Sequence, residues 1–369
     1  MQDMYNEILL AAFAGSALIC GLIAFSKPLH VHLTSKAEAE TAIQSAHSGS
    51  IPRVGGLGLL AALGVAVWWC ESAKHADFMS GLILSSLPLF IGGLLDDLGF
   101  VIRPVTRLAL AFISALLMSG LTGIWLTDLD IGFVNLALGA GSFTVGTMTV
   151  APIGIFFTAF ATAGVSNAFN IVDGLNGLAS GTGIIVSAVL AGIALSVGDT
   201  LIAASAFAML AALGGFFVWN FPKGKIFLGD CGAYFAGFFL AWLAVLVVER
   251  NDSVSPWAIL VVFGYPITET VFTIFRRKLK KQSTLNAPDQ EHLHSMVLKH
   301  WASAQFSTAT LWIQNCLSAL VMLLPSVALA FAGYYLSSSS MWSQTAYVGF
   351  FIVYSLVYLR LKRQGDVRQ

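Results

Sequence analysis

Stretches of apolar sequence long enough to cross a bilayer recur from one end of this chain to the other. Hydrocarbon about 30 Å thick takes roughly 20 residues of helix, and a lipid-exposed backbone must satisfy its own hydrogen bonds. Eleven runs fit, at about 6–26, 55–71, 79–95, 105–122, 151–169, 178–197, 200–219, 232–248, 257–275, 308–330 and 344–361. With 57% hydrophobic and 10% charged residues among 369, the composition lies far from a soluble mix. The expectation is an all-α polytopic membrane protein with about eleven transmembrane helices, forming a single integral-membrane domain over 1–369. The first run lacks a basic flank before it and a small-residue cleavage site after Phe25, so it reads as a retained anchor.

Charge then orients the chain. With the N-terminus outside, the inside loops near 27–54, 96–105, 170–177, 220–231 and 276–307, with the C-terminal tail, carry 17 of the 19 basic residues. Only Lys74 and Arg250 fall outside. This is the positive-inside pattern, and it puts the C-terminus in the cytoplasm. The longest outside segment, 123–150, contains Thr-Val-Gly-Thr-Met-Thr-Val, which reads as strand and turn, a short hairpin around 130–150. Cys20, Cys70, Cys231 and Cys316 show neither metal-knuckle nor disulfide spacing.

Polar residues inside such apolar sequence mark candidate sites. Asn167, Asn170, Asp173 and Asn176 recur at intervals of three in NAFNIVDGLNGL. On a helix the first three share one face, and Gly174 and Gly177 loosen the backbone so that Asn176 can join them. Asp96-Asp97 closes the third apolar run, where two adjacent carboxylates invite a divalent cation or a shared proton. Arg103 and Arg107 follow, suited to offsetting that pair or holding a phosphate. Arg53, in Ile-Pro-Arg-Val-Gly-Gly, meets the membrane face where a phosphate would be bound.

Asp230 stands between Gly229 and Gly232 at the start of the eighth helix. It suits either an N-cap or a ligand that approaches the backbone, with Lys223 and Lys225 nearby. Glu269 is the acidic residue of the ninth run, placed near the basic cluster Arg276-Arg277-Lys278. The last inside loop adds Asp289-Gln-Glu-His292-Leu-His294. Zinc is one reading of the histidine pair, but a phosphate-handling surface fits the surrounding basic residues better. His47 reads as a loop residue. An all-oxygen acidic cluster favours magnesium or manganese, and one on the inside face suits a water-soluble phosphate donor with a lipid acceptor.

In order along the chain, Pro52-Arg53-Val54-Gly55-Gly56, Asp96-Asp97, Asn167 to Gly177, Gly229-Asp230-Cys-Gly232 and Asp289 to His294 resemble the motifs of the polyprenyl-phosphate N-acetylhexosamine-1-phosphate transferases. The resemblance implies a multi-pass protein of the bacterial inner membrane with its site facing the cytoplasm. It implies transfer of a sugar-1-phosphate from a UDP-N-acetylhexosamine to undecaprenyl phosphate, releasing UMP, to initiate a cell-surface polysaccharide. By that likeness Asp96 or Asp97 orients or deprotonates the lipid phosphate. Asp230 with Asp173 holds Mg2+ (or Mn2+) on the donor pyrophosphate. Asn167 and Asn170 line the nucleotide site, and His292 and His294 meet the donor phosphates. Asn176, Arg53, Arg107, Lys225, Arg276 and Arg277 complete the expected substrate contacts.

The chain departs from the family pattern at Asn176, often Asp, and at Ser295, often His. The shorter histidine run and the basic tail point to the O-antigen-type branch. Membrane lipids and an oligomeric partner are further expected contacts, and nucleic acid is not. A polytopic transporter with a cytoplasm-facing cation site is the alternative, but it predicts acids buried in mid-helix. A CDP-alcohol phosphotransferase is also disfavoured, because Asp173-Gly-Leu-Asn-Gly-Leu-Ala lacks that family's Arg and later Asp pair.

Overall fold

The computed structural model describes residues 2–34, 51–145, 148–279 and 291–367. Lys36, His47, Lys280, Lys281, Asp289 and Arg368 therefore lie outside the described residues. The chain opens with α1 (Gln2–Phe25), a short α2 (Lys27–Thr34), α3 (Gly56–Trp69), α4 (Ala73–Asp97) and α5 (Pro104–Thr122). Next come α6 (Gly132–Gly139) and the strands β1 (Phe143–Val145) and β2 (Met148–Val150). Four helices then cross the fold: α7 (Pro152–Val172), α8 (Leu178–Ser196), α9 (Thr200–Asn220) and α10 (Gly229–Glu249). The remainder is α11 (Pro256–Val262), α12 (Gly264–Leu279), α13 (Leu293–Met296), a π turn at Val297–Ala302, α14 (Ser303–Gln305), α15 (Leu311–Tyr335) and α16 (Ser340–Val367).

The architecture is all-α and polytopic, as the apolar runs require, and the eleven runs are not alike as spans. Among the described residues nine helices are long and apolar enough to cross a membrane. α3 has 14 residues, which at 1.5 Å per residue reach about 21 Å, short of a full bilayer core. The ninth run is broken: α11 and α12 meet at an 83° bend. Pro266 follows directly on that break, and its ring and missing N–H disfavour a straight continuation. The outside segment does form a hairpin, with Phe143 opposite Val150 and Val145 opposite Met148. It also holds the helix α6, which alternation alone did not suggest.

α10 is the axis of the bundle. Its sequence is apolar all round, and its central 18-residue stretch is wholly buried, as an all-apolar helix in a large core should be. Phe235, Phe238, Phe239 and Trp242 fill the surrounding space with no exposed surface. Glycines let three helices approach one another near its N-terminus. A Cβ on Gly56 of α3 would strike the Gly232 backbone, and one on Gly93 of α4 would strike the Cys231 backbone. Outward faces of α1, α5 and α16 present large apolar side chains such as Leu18, Leu117 and Leu356, suited to lipid.

Candidate active site

One end of the bundle collects the polar motifs. The segment Pro52–Gly56 is bonded by main chain to the strand-like approach of α10. The Phe227 N–H donates to the Pro52 carbonyl (2.8 Å), and the Gly55 and Gly56 N–H groups donate to Phe227 and Leu228 (2.9 and 3.0 Å). Gly229 then takes φ +77°, and a Cβ there would collide with the Arg53 carbonyl and the Asp97 carboxylate. Glycine alone suits that position.

Asp97, at the end of α4, caps α10 from another helix. Its Oδ1 accepts the Asp230 N–H (2.9 Å) and its Oδ2 the Cys231 N–H (2.8 Å). Those are orphan donors of the first turn, and a carboxylate at a helix N-terminus is favoured by the dipole as well. Asp230 is therefore not the N-cap; it sits inside the turn, with its carboxylate turned to side chains of other helices. Its Oδ1 accepts from Asn170 Nδ2 (2.9 Å) and its Oδ2 from Arg107 Nη1 (3.3 Å). Arg53 bridges the two acids, with Nε 3.9 Å from Asp97 and Nη2 4.0 Å from Asp230. Asp96 accepts the Ile102 N–H (3.2 Å) and lies 3.8 Å from Arg107.

Tyr234, one turn along α10 from Asp230, completes this network. Its hydroxyl donates to Asn170 Oδ1 and accepts from Arg107 Nη1, both at 3.2 Å. The i, i+4 spacing placed it on the Asp230 face, but an aromatic in an apolar run carried no polar signal.

The interval-of-three motif splits. α7 ends at Val172, so Asp173 is already in the following turn. Asn170 faces Asp230, whereas Asn167 is exposed one turn earlier and joins none of these bonds. Asn176 is 4% exposed and donates to the Pro222 carbonyl (3.1 Å), while its own N–H is held by Asn315 (2.9 Å). Asn220 likewise accepts the Gly177 N–H and donates to Ile226. These amides shape a narrow cleft lined by Arg53, Asp173, Gly174, Asn220, Phe227 and Asn315. Desolvation raises the Asp173 carboxyl to about 7, with Arg53 opposing the rise and the charges of Asp230 and Asp97 adding to it.

His294 reaches the same place from the last loop. It is 3% exposed, and a Cβ on Gly174 would run into its ring, so the central motif and the histidine motif touch at a glycine. His292 stacks on His294 with centroids 5.5 Å apart and planes 6° apart. Its Nδ1 faces the Glu269 carboxylate at 3.0 Å. Glu269 is thus engaged by the histidine loop rather than by the basic cluster.

Three basic candidates are placed elsewhere. Lys225 is exposed over the Trp219 ring. Arg276 is buried and donates to the Glu291 carbonyl and carboxylate and to the Tyr358 hydroxyl. Arg277 is half-buried on the same helix. Among the described residues no three His, Cys, Asp or Glu side chains are arranged to enclose a metal ion by themselves. Two hard carboxylates, Asp173 and Asp230, nevertheless fit Mg2+, which typically takes one or two protein carboxylates and completes its shell with water and substrate phosphate.

Fold and site together define a multi-pass membrane protein whose acidic and basic side chains meet at one end of a helical bundle. Residues 79–248 match the family model described as Glycosyl transferase family 4. The chain is 29% identical over 269 residues to a probable undecaprenyl-phosphate N-acetylglucosaminyl 1-phosphate transferase of Bacillus subtilis, covering 72% of this chain and 71% of that one. It is 28% identical over 284 residues to the undecaprenyl-phosphate alpha-N-acetylglucosaminyl 1-phosphate transferase of Salmonella typhi, covering 75% and 72%. Over these stretches the chain is similar to that family and to undecaprenyl-phosphate N-acetylglucosaminyl 1-phosphate transferases. The family match takes in Asp96, Asp97, Asn170, Asp173 and Asp230, while Arg53 and the histidine loop lie beyond its limits.

Proposed function

We propose that this protein transfers N-acetylhexosamine-1-phosphate from a UDP-sugar to undecaprenyl phosphate, releasing UMP, on the cytoplasmic side of a bacterial inner membrane. The product would initiate a cell-surface polysaccharide. The observation that carries the reading is the convergence of Arg53, Arg107, Asn170, Asp173, Asp230 and His294 at one end of the bundle. Phosphoryl transfer needs positioning and charge neutralisation above all, and these groups supply both at a membrane face. The similar proteins of Bacillus subtilis and Salmonella typhi are named for the same acceptor.

Within this reading Arg53 and Arg107 hold phosphate oxygens against the acids that already orient them. An oxygen of the lipid phosphate attacks the sugar-bearing phosphorus, and the bond from that phosphorus to the bridging oxygen breaks as UMP leaves. Of the two adjacent acids, Asp97 has both oxygens committed to backbone N–H groups. Asp96 is therefore the better candidate to orient the lipid phosphate or take its proton. Magnesium, with manganese as the alternative, would be held by Asp230 and Asp173 and would supply charge neutralisation at the donor pyrophosphate. His294, packed on Gly174, is placed to meet the donor phosphates.

The test is turnover by detergent-purified protein given undecaprenyl phosphate, magnesium and a panel of UDP-N-acetylhexosamines. UMP release that needs both lipid and metal is the expected result, and the preferred sugar identifies the donor. Silence across the panel from folded protein would overturn the assignment. C-terminal reporter fusions should signal from the cytoplasm; an external signal would reverse the orientation of every site residue.

A further inference from the structure

The histidine loop is gripped by a buried carboxylate that the sequence associates with none of the five family motifs. Glu269 lies just beyond the 83° bend between α11 and α12, and the bend turns this stretch of α12 towards the start of α13. It is 1% exposed. Its carboxylate oxygens receive the Leu293 N–H at 3.2 and 3.3 Å, face His292 Nδ1 at 3.0 Å and accept the Tyr354 hydroxyl of α16 at 2.8 Å. Thr273, one turn further along α12, adds a contact to the same histidine nitrogen at 3.3 Å.

This set of bonds fixes more than one side chain. The Leu293 N–H is an orphan donor in the first turn of α13, so Glu269 fixes where that helix begins. A carboxylate on Nδ1 sets the tautomer and ring plane of its histidine. His292 lies nearly parallel to His294, and His294 is wedged against Gly174 beside Asp173. A second clamp acts one residue earlier, where Arg276 holds the Glu291 carbonyl at 2.7 Å and Tyr358 of α16 at 3.0 Å. The loop is thus pinned to α12 and α16 at three consecutive residues, 291 to 293.

We infer that Glu269, seated by Tyr354, is a positioning residue that fixes the His292 ring and the first turn of α13, and thereby sets His294 against the Asp173–Gly174 turn. It touches no reacting group. Its effect on turnover rests on the transfer reaction proposed above, whereas its grip on the loop does not. C-terminal helix α16, which carries no motif, becomes part of the site's support.

The experiment pairs two readouts on the full-length protein in detergent. Hydrogen exchange of the 291–298 segment reads the grip directly, and UMP release reads its consequence. Glu269→Gln should speed exchange of that segment while leaving α10 unchanged. It should lower kcat by about 10- to 100-fold, the range for lost supporting bonds, with the donor KM within about threefold. Tyr354→Phe, which removes one bond behind the carboxylate, should do the same more weakly and guards against a Glu269 variant that fails to fold. Glu269→Gln combined with His292→Ala should lose no more than the worse single variant, because both act along one path.

Unchanged exchange in both variants overturns the inference whatever the reaction is. Faster exchange with normal kcat, or losses in the double variant that multiply, overturns it too. Faster exchange in protein whose wild type releases no UMP upholds the grip and rejects the proposed reaction instead.

Discussion

Both ends of the bundle tie carboxylates into hydrogen bonds, and they use them differently. α4 runs from Ala73 to Asp97, about 37 Å at 1.5 Å per residue, so its two ends sample the two faces. At the far end Asp199 caps α9 through the Ile202 N–H and meets Arg250 Nε at 2.6 Å. Glu249 accepts the Thr127 N–H and hydroxyl, and Asp130 accepts from Ser340. Those acids each close a turn or a helix end. At the near end Asp97 closes one too, but in doing so it holds Asp230 beside Arg107, Asn170 and Arg53. A cap that satisfies backbone donors stabilises; a carboxylate backed by such a cap and flanked by arginines presents organised charge to a ligand.

Substitutions can break this contrast in graded steps. Asp230→Asn should reduce UMP release the most, by about 1,000-fold, as expected for a charge aimed at the reacting phosphate, while the protein inserts and elutes as wild type. Retained turnover would remove Asp230 from the proposed metal site. Arg107→Ala should follow at about 100-fold, because it removes partners from Asp230, Asp96 and Tyr234 together; steady-state rates check this. Asp97→Asn offers one acceptor where two N–H groups point, and should lower turnover by about tenfold to 100-fold and stability by about 1 kcal/mol. Paired kinetics and thermal melts separate those two effects.

The smallest change should come from the far end. Asp199→Asn loses the Arg250 pair and should destabilise by about 1 kcal/mol with turnover within about twofold. A large rate loss there would show that the two ends are coupled and would erase the distinction between carboxylates that cap and those held beside arginines.

Much of the near end was legible because its residues are polar in an apolar chain. Asp96, Asp97, Asp173 and Asp230 stood out for that reason, and Gly229 and Gly232 marked the close approach that the backbone then showed. Roles within the set were less legible. Asp97 and Asp230 look alike in sequence, yet one faces backbone donors and the other a guanidinium, which depends on how α4 meets α10. Asn167 shares the spacing of Asn170 but not its partner. Asn176 and Arg276 are tied into loop and helix packing, and Tyr234 and Tyr354 gave no signal because an aromatic ring in an apolar segment reads as core.

The sequence by itself determined a multi-pass helical protein and the stretches where charge would gather, since the cost of placing polar groups in lipid is local and can be read residue by residue. Tertiary structure decided which carboxylate caps and which is presented, how an apolar run bends to carry Glu269 inward, and which histidine meets the central turn. Those outcomes depend on contacts between segments distant in the chain, where a hydrogen bond of about 3 Å is fixed by the packing of whole helices.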